Sequence, residues 1–342
     1  MTKSKTKCDG KKMEKWIRQL KHNPVPSLTG SENAAISYLA KRDLLEDKKE
    51  PIEKLWDLRE PKKLLTKQQK DGSWNYPNPR FKIRSQENYN QIETFRTLGI
   101  LIEQYGFNRK HPAIENAAEF LFKFQTEEGD IRGILENQYM PYYTAAMMEL
   151  IIKAGFEKES RIEAGFHWLL SIRQDDGGWA FPPRTRTGKN ALTLVQAFKE
   201  KEPIKPDTTK PFSHLITGMV LRAFAAHTDH RKDPHARIAA ELLKTRFFKP
   251  DKYPDRKAPS FWIGFSYPFW FTDLLSSLDS LSKLNFSPTD PDIKKGLEWF
   301  INKQEKTGNW KLKTLRGANS QYLNLWLSLA ISRVFKTFYS EP

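Results

Sequence analysis

Apolar residues along this chain fall into two kinds of helical stretch that take turns. The first kind carries an apolar stripe and a charged face, and it opens on a cap: His111-Pro112-Ala113-Ile114, Asp233-Pro234-His235-Ala236-Arg237-Ile238 and Asp290-Pro291-Asp292-Ile293, with Ser160-Arg161-Ile162 matching without the proline. A cap residue followed by Pro marks a helix start, because Pro lacks only an N–H that is unpaired there in any case. Ile114 to Gly129, Ile162 to Gly177 and Ile293 to Gly308 each span 15 residues, so three helices share one length and stop on one glycine. The second kind is expected at 86–105, 141–154, 212–227, 268–284 and 318–336. Thr144 to Ile152 and Leu215 to Leu221 are apolar nearly all round, as helices buried on several sides are. Further stretches are expected from Lys12 to Leu20, Glu32 to Leu45 and 51 to 69, with Asn23-Pro24-Val25-Pro26-Ser27 breaking the chain between the first two.

A turn joins one kind to the other. Gln68-Gln69-Lys70-Asp71-Gly72-Ser73-Trp74 is its fullest form. Copies end at Gly129 without a Trp, at Gly177 with Trp179 and the Gln displaced by one, and at Gly308 with Trp310. The Gln falls in the last helical turn, where carbonyls lose their partners. Its amide is expected to bond those carbonyls or the start of a neighbouring helix, and the Trp to pack back over the turn. Gln68, Asp71, Trp74, Asp176, Trp179, Gln304 and Trp310 therefore read as structural, and a metal or diphosphate site at Asp175-Asp176 as the minor alternative.

Alternation of charged and apolar helices favours a ring of hairpins over an open rod, since a rod would expose the second side of the apolar members. The expected fold is all-α: a single α/α toroid of about five to six hairpins, with outer and inner helices. The anchors Ile114, Ile162, Ile238 and Ile293 are spaced 48, 76 and 55. The long interval holds an insertion at 180–211, read as a loop with a short helix near Ala191 to Lys199 that covers one mouth. The domain reading is a basic N-terminal arm at 1–30 and the toroid at 31–342.

Composition adds partners and compartment. Among the 342 residues, 22 Phe, 10 Trp and 11 Tyr point to an aromatic core, and the formal net charge is +16. The first 24 residues hold eight Lys/Arg against two acids. Such a balance suits a solvated surface, an anionic ligand or an anionic membrane surface. Nucleic acid ranks last, because no basic and aromatic module of that type is present. Cys8, the one cysteine, excludes an internal disulfide and fits a reducing compartment. The charged N-terminus lacks the apolar core of a signal peptide, and no run approaches the roughly 20 apolar residues of a spanning helix. A cytoplasmic protein, or one peripheral to a membrane, is expected. Oligomeric state is not legible.

The string Q-x-x-D-G-x-W from Gln68 to Trp74 resembles the QW repeat of squalene–hopene cyclases, and the helix pairs are similar to those of the related protein prenyltransferase β subunits. The likeness spans about residues 30–336. It implies inner and outer helix rings around a central apolar cavity reached from the inner helices' N-terminal ends. Asn23-Pro24-Val25-Pro26-Ser27, Tyr38-Leu39-Ala40 and Phe271-Thr272-Asp273-Leu274-Leu275 are similar to a stand-alone, cyclase-like prokaryotic group of unassigned chemistry. The chain departs from the known enzymes. The D-x-D-D acid of class II cyclases is absent, Asp290-Pro291-Asp292-Ile293 being the nearest string. The Asp/Cys/His zinc set and a D-D-x-x-D site are absent too, so no metal or other cofactor is expected.

What remains are side chains at the inner-helix starts, which should share one mouth. Asp273, after Tyr267-Pro268-Phe269-Trp270-Phe271-Thr272, is the leading candidate acid: a desolvated carboxyl keeps its proton and donates it. Its competing role is an N-cap. His214 is a second candidate, with a core histidine as the competing reading, and Glu93 a third. Tyr89, Tyr142, Tyr143, Trp262, Phe269, Trp270 and Tyr322 form the expected ligand wall, accompanied by Glu87, Ser213, Tyr267, Asn319 and Gln321. Aromatic faces stabilise a carbocation, bind a sterol or sugar face, or serve as core. His227, His230 and His235 with Asp229 and Asp233 have the composition of a metal cluster, though Asp233 already has a cap to make. The leading functional expectation is a terpene-cyclase-like toroid that binds, and as an enzyme would transform, a hydrophobic isoprenoid or polycyclic ligand; an enzyme of this kind would be a lyase or isomerase. The alternatives are a non-catalytic toroid for a lipid or protein partner, and a carbohydrate-active toroid by fold analogy alone.

Overall fold

The computed structural model describes residues 14–77, 85–188, 192–315 and 320–340; Cys8 and Asn319 lie outside them, as does the side chain of Gln321. Helices pair as outer then inner: α1 (Val25–Thr29) with α2 (Ala34–Leu44), α3 (Arg59–Leu65) with α4 (Gln86–Tyr105), and α5 (Pro112–Phe122) with α6 (Pro141–Ile151). The series continues with α7 (Ser160–Ser171), the insertion helices α8 (Pro182–Thr185) and α9 (Leu194–Lys199), and then α10 (His214–Ala226), the inner partner of α7. α11 (Pro234–Lys244) with α12 (Leu274–Lys283) and α13 (Pro291–Lys303) with α14 (Ser320–Tyr339) complete it. The inner helices touch in the order α2, α4, α6, α10, α12, α14, and α14 returns to α2. The chain is therefore an all-α toroid. Apolar faces of the inner helices are covered on both flanks, and α10 is buried at every position from His214 to Ala225.

The turns are what turn hairpins into a ring. Gln68 Nε2 donates to its own turn at the Gly72 carbonyl (2.9 Å) and to the Ala113 carbonyl at the start of α5 (2.8 Å). Gln125 does the same with Gly129 and with Arg161 of α7. Each Trp indole N–H caps a carbonyl ten residues back: Trp74 to Leu64, Trp179 to Leu169 and Trp310 to Phe300. The backbone N–H of Trp74, Ile131, Trp179 and Trp310 donates to a hydroxyl on the following inner helix, respectively Thr94, Thr144, Thr217 and Ser328. Gly72 has φ +90° and leaves no room for a Cβ, which would lie 2.2 Å from the Asn116 carbonyl oxygen of α5. One residue type thus supplies both the left-handed turn and the close approach of the next outer helix.

The last turn closes the circle with the same bonds. Gln304 Nε2 donates to Gly308 O (2.8 Å) and to His22 O (2.9 Å), and His22 N donates back to Gln304 Oε1 (3.0 Å). A Cβ on Gly308 would meet Asn23 O at 2.5 Å. His22 and Asn23, just before α1, stand where Ala113 and Asn116 stand for the first turn.

Several expectations change. Residues 14–30 are not an appendage: Trp16, Ile17, Val25 and Leu28 are buried and form the first outer layer. Pro24 and Pro26 do not break the chain but sit at the start of α1, where their missing N–H groups are harmless. The stretch 51–69 is a 3-10 turn (Ile52–Asp57) and then α3, since Leu58 is extended. Ile238 is no anchor; it is 47% exposed, and the cap-plus-three position of α11 is Ala236, fully buried. In the third turn Arg173 occupies the glutamine's place, and Gln174 ties down the end of the insertion through Asp207 O and Lys210 O.

Candidate functional site

The starts of α6 and α10 and the middle of α4 face one hollow. A lobe of about 520 Å³ lies there, lined by Ile92 and Arg96 of α4, Tyr142 and Tyr143 of α6, and Leu215 and Ile216 of α10. Tyr76, Ile134, Leu135, Asp255, Arg256, Trp270 and Phe271 complete its walls, and the insertion adds Phe181 and Phe198. The 180–211 segment is fastened across this end of the ring. Gln138 accepts from Ile204 N, Thr185 Oγ1 accepts from Asp207 N, and Thr193 and Gln196 form a capping box on α9.

A second lobe of about 400 Å³ lies beside the first, lined by Glu93, Phe95, Gly99, Ile100, Leu150, Leu323 and the run Phe265–Phe271. Arg96, Arg256, Trp270 and Phe271 line both lobes and mark the throat between them. Here the expected inner helix at 268–284 begins only at Leu274. The residues before it cross the hollow instead. Trp270 O accepts from Arg222 of α10, the Tyr267 hydroxyl meets Glu103 O of α4 and Arg333 of α14, and Gly99 lets Pro268 approach α4.

Beyond that crossing, the axis is ionic. Glu149 accepts from Arg222 Nε and from Lys153 Nζ (2.7 Å each), Lys153 also pairs with Glu103, and Arg333 pairs with Asp43. Burial pushes the Glu149 carboxyl up, but Arg222 and Lys153 outweigh it and hold the group at about 2. None of these charges was singled out by periodicity. Their signal was present all the same: isolated Glu149 and Arg222 inside otherwise apolar helices must be paired to be buried. A larger hollow of about 700 Å³ opens at the opposite end, among Arg42, Asp43, Lys283, Arg333 and Lys336. It sits at inner-helix C-termini, where Lys336 bonds the free carbonyls of Asp43 and Leu44, so its basic groups answer the helix ends.

The candidate residues divide. Tyr142, Tyr143, Phe269, Trp270 and Glu93 line the lobes; Glu93 is paired with Arg96 at 3.0 Å. Tyr89 packs against Tyr76 with the rings tilted by 37°, and Tyr322 is 50% exposed outside both linings. Asp273 does not line either lobe. It is 1% exposed and caps α12, Oδ1 accepting from Ser276 N at 2.8 Å. Burial pushes its carboxyl up to about 7, against the pull of Ser276 and of Arg222. The pKa of an acid is there, the access is not. His214 and Trp262 sit together elsewhere, ring centroids 4.5 Å apart, with His214 beside Asp251. Desolvation draws His214 down to about 4 although Asp251 opposes it. Trp262 is buried and donates to Lys249 O, so both are core.

Of the histidine cluster, His227, His230 and Glu163 converge within 4.8 Å, and His235 stays apart. His227 Nδ1 accepts from Asp229 N and His230 N, which leaves Nε2 protonated and donating to Glu157 O (2.9 Å). A ring with both nitrogens committed has no lone pair for a cation. Asp176 is likewise committed, to Gly178 N and Phe212 N. No helix among the described residues is long and apolar enough to cross a membrane.

Neither a family model nor a curated protein sequence matches this chain. Among solved structures, it is similar to type II terpene cyclase MstE from Scytonema at 12% identity and TM-score 0.33, over 80% of this chain and 94% of that one. It is similar to an alpha-amylase from Clostridium perfringens at 12% identity and TM-score 0.40, over 80% and 79%. A protein from Actinoplanes gives 12% identity and TM-score 0.32, over 84% and 99%. Likenesses this distant carry no inference about chemistry, which must come from the chain's own side chains.

Proposed function

We propose that this protein is a ligand-binding toroid that takes an elongated apolar molecule, of isoprenoid or polycyclic type, into the two-lobed hollow at the N-terminal mouth. The observation that carries this reading is the lining itself. Seven rings (Tyr76, Tyr142, Tyr143, Phe181, Phe198, Trp270 and Phe271) face one lobe, which the crossing segment separates from a second apolar lobe. Each volume falls within the roughly 300–1,000 Å³ usual for small-molecule sites. Binding is favoured over protonation because Asp273 stands behind the wall, engaged as a cap.

One observation supports a second reading. Glu93 is a carboxylate in the lining of the inner lobe, beside Phe95 and Phe269. A new product from a linear isoprenoid, formed by the wild type and lost in Glu93→Gln, would favour catalysis there.

The binding reading is tested with farnesol, followed by tryptophan fluorescence and native mass spectrometry. Saturable one-to-one binding is expected, at least tenfold weaker in Phe198→Ala and in Tyr143→Ala. Absence of saturable binding, or unchanged affinity in both folded variants, would overturn it.

A further inference from the structure

Given that reading of the hollow, we propose that its ligand is an alcohol: an apolar skeleton whose hydroxyl is seated in the inner lobe, on Glu93 and Arg96. The two side chains stand about one turn apart on α4, both line that lobe, and each keeps 23% of its surface exposed. They meet through a single bond, from Arg96 Nη1 to Glu93 Oε2 at 3.0 Å. Arginine and carboxylate commonly pair through two parallel bonds. Here one leg is made. No described residue donates to Glu93 Oε1, and none accepts from Arg96 Nη2. The guanidinium is held between two rings, 5.3 Å from the Tyr76 centroid and 5.2 Å from that of Trp270. Its Nε is buried, so the terminal nitrogens are the part of Arg96 that a ligand can reach.

A hydroxyl is the smallest group that serves both side chains: its hydrogen goes to Glu93 Oε1 and its oxygen accepts from Arg96 Nη2. An ether oxygen serves the arginine alone, and a hydrocarbon serves neither. Two other polar groups of this lobe are already spent. Ser266 Oγ accepts from Trp270 N, and the Tyr267 hydroxyl is engaged with Glu103 O and Arg333. The same pair sets the direction of the ligand. Glu93 lines the inner lobe only, whereas Arg96 lines both, so the head lies on the inner side of the throat and the skeleton runs past Trp270 into the ring-walled outer lobe. A site that bonds a ligand hydroxyl discriminates against the analogue lacking it, because its own polar groups are then covered without partners.

The test holds the skeleton constant and changes only the head: farnesol, farnesyl methyl ether and farnesene, titrated into the full chain at pH 7. The alcohol is expected to bind at least tenfold tighter than the ether, which keeps the oxygen and loses the O–H, and tighter still than the hydrocarbon. In Glu93→Leu the alcohol and the ether should bind alike, while farnesene binds at least as tightly as it does to the wild type. That last readout shows an intact lobe, which a merely structural defect would not leave. Where the variant does not fold, the ranking of the three heads by the wild type decides. Binding of the ether as tight as that of the alcohol, or a preference for the alcohol that survives in folded Glu93→Leu, would overturn this inference and leave the apolar-ligand reading standing. Binding by none of the three would remove both.

Discussion

Replacing Gln304 by Ala should open the ring at one place. The amide makes three hydrogen bonds: two reach His22, across 282 positions of sequence, and one reaches its own turn at Gly308. At about 1 kcal/mol net for each, truncation costs about 3 kcal/mol. With an unfolding entropy near 2 cal/mol/K per residue, that lowers the melting temperature of a chain this long by roughly 4 °C. The location of the effect matters more than its size. Gln125→Ala loses one bond within its own turn and one to the next outer helix and should cost about 2 kcal/mol with no local release. In Gln304→Ala the segment from Trp16 to Thr29 loses both of its bonds to the glutamine and keeps, to the last turn, the bond from Asn309 Nδ2 to Ser27 Oγ (2.6 Å). Hydrogen exchange by mass spectrometry should show faster exchange there, in Leu28 above all, whose amide bonds only Pro24 O. Unchanged exchange over that segment, with the melting temperature lowered, would mean that the ring is not held shut by this glutamine, and the account of closure would fail.

Asp273 makes stability depend on pH. Its folded carboxyl holds a proton up to about 7, while an ordinary aspartate releases it near 3.8, so between those values the folded chain binds the extra proton. Stability therefore falls as pH rises through that window and is flat above it, by up to about 4 kcal/mol for a group buried this completely. Asp273→Asn keeps a cap and removes the slope, so urea unfolding at pH 5 and pH 8 should show the variant gaining on the wild type at the higher pH; parallel pH profiles would count against it. Glu149→Gln leaves Arg222 without a carboxylate, and Lys153 with Glu103 alone, and should cost about 3–5 kcal/mol. The double variant with Arg222→Gln should lose less than the sum of the two singles, and strict additivity would show that the pair is not coupled.

Local chemistry made the frame readable. The turn needs a glycine at Gly72, Gly129, Gly177 and Gly308 because backbone φ there is positive, and all four stand out in the chain. His111, Asp233 and Asp290 cap helices where the cap-Pro pairs place them. The Gln and Trp positions carry the bonds their spacing implies. Ile238 misled because its identity matched the other anchors while its offset from the cap did not, and offset is what sets a helical face.

The site was less readable, and for a definite reason. Tyr142, Tyr143, Phe269, Trp270 and Glu93 reach the lobes because inner-helix starts share a mouth, which the alternation of helices implies. Asp273 and His214 fell outside because the direction of a side chain at a helix start decides between wall and core, which periodicity does not resolve, and Trp262 because it lies in a 3-10 turn (Pro259–Ile263) and not at an inner-helix start.

Periodicity and turn chemistry, being contacts between near neighbours, settled from the chain alone that helices would pair and that pairs would stack side by side. Which charge answers which was settled only by folding. Glu149 meets Arg222 across 73 positions and Arg333 meets Asp43 across 290, distances over which no local pattern runs. The same holds for the segment Phe265–Phe271, whose course through the hollow depends on α4, α10 and α14 at once, and so existed nowhere in the chain before the ring had closed.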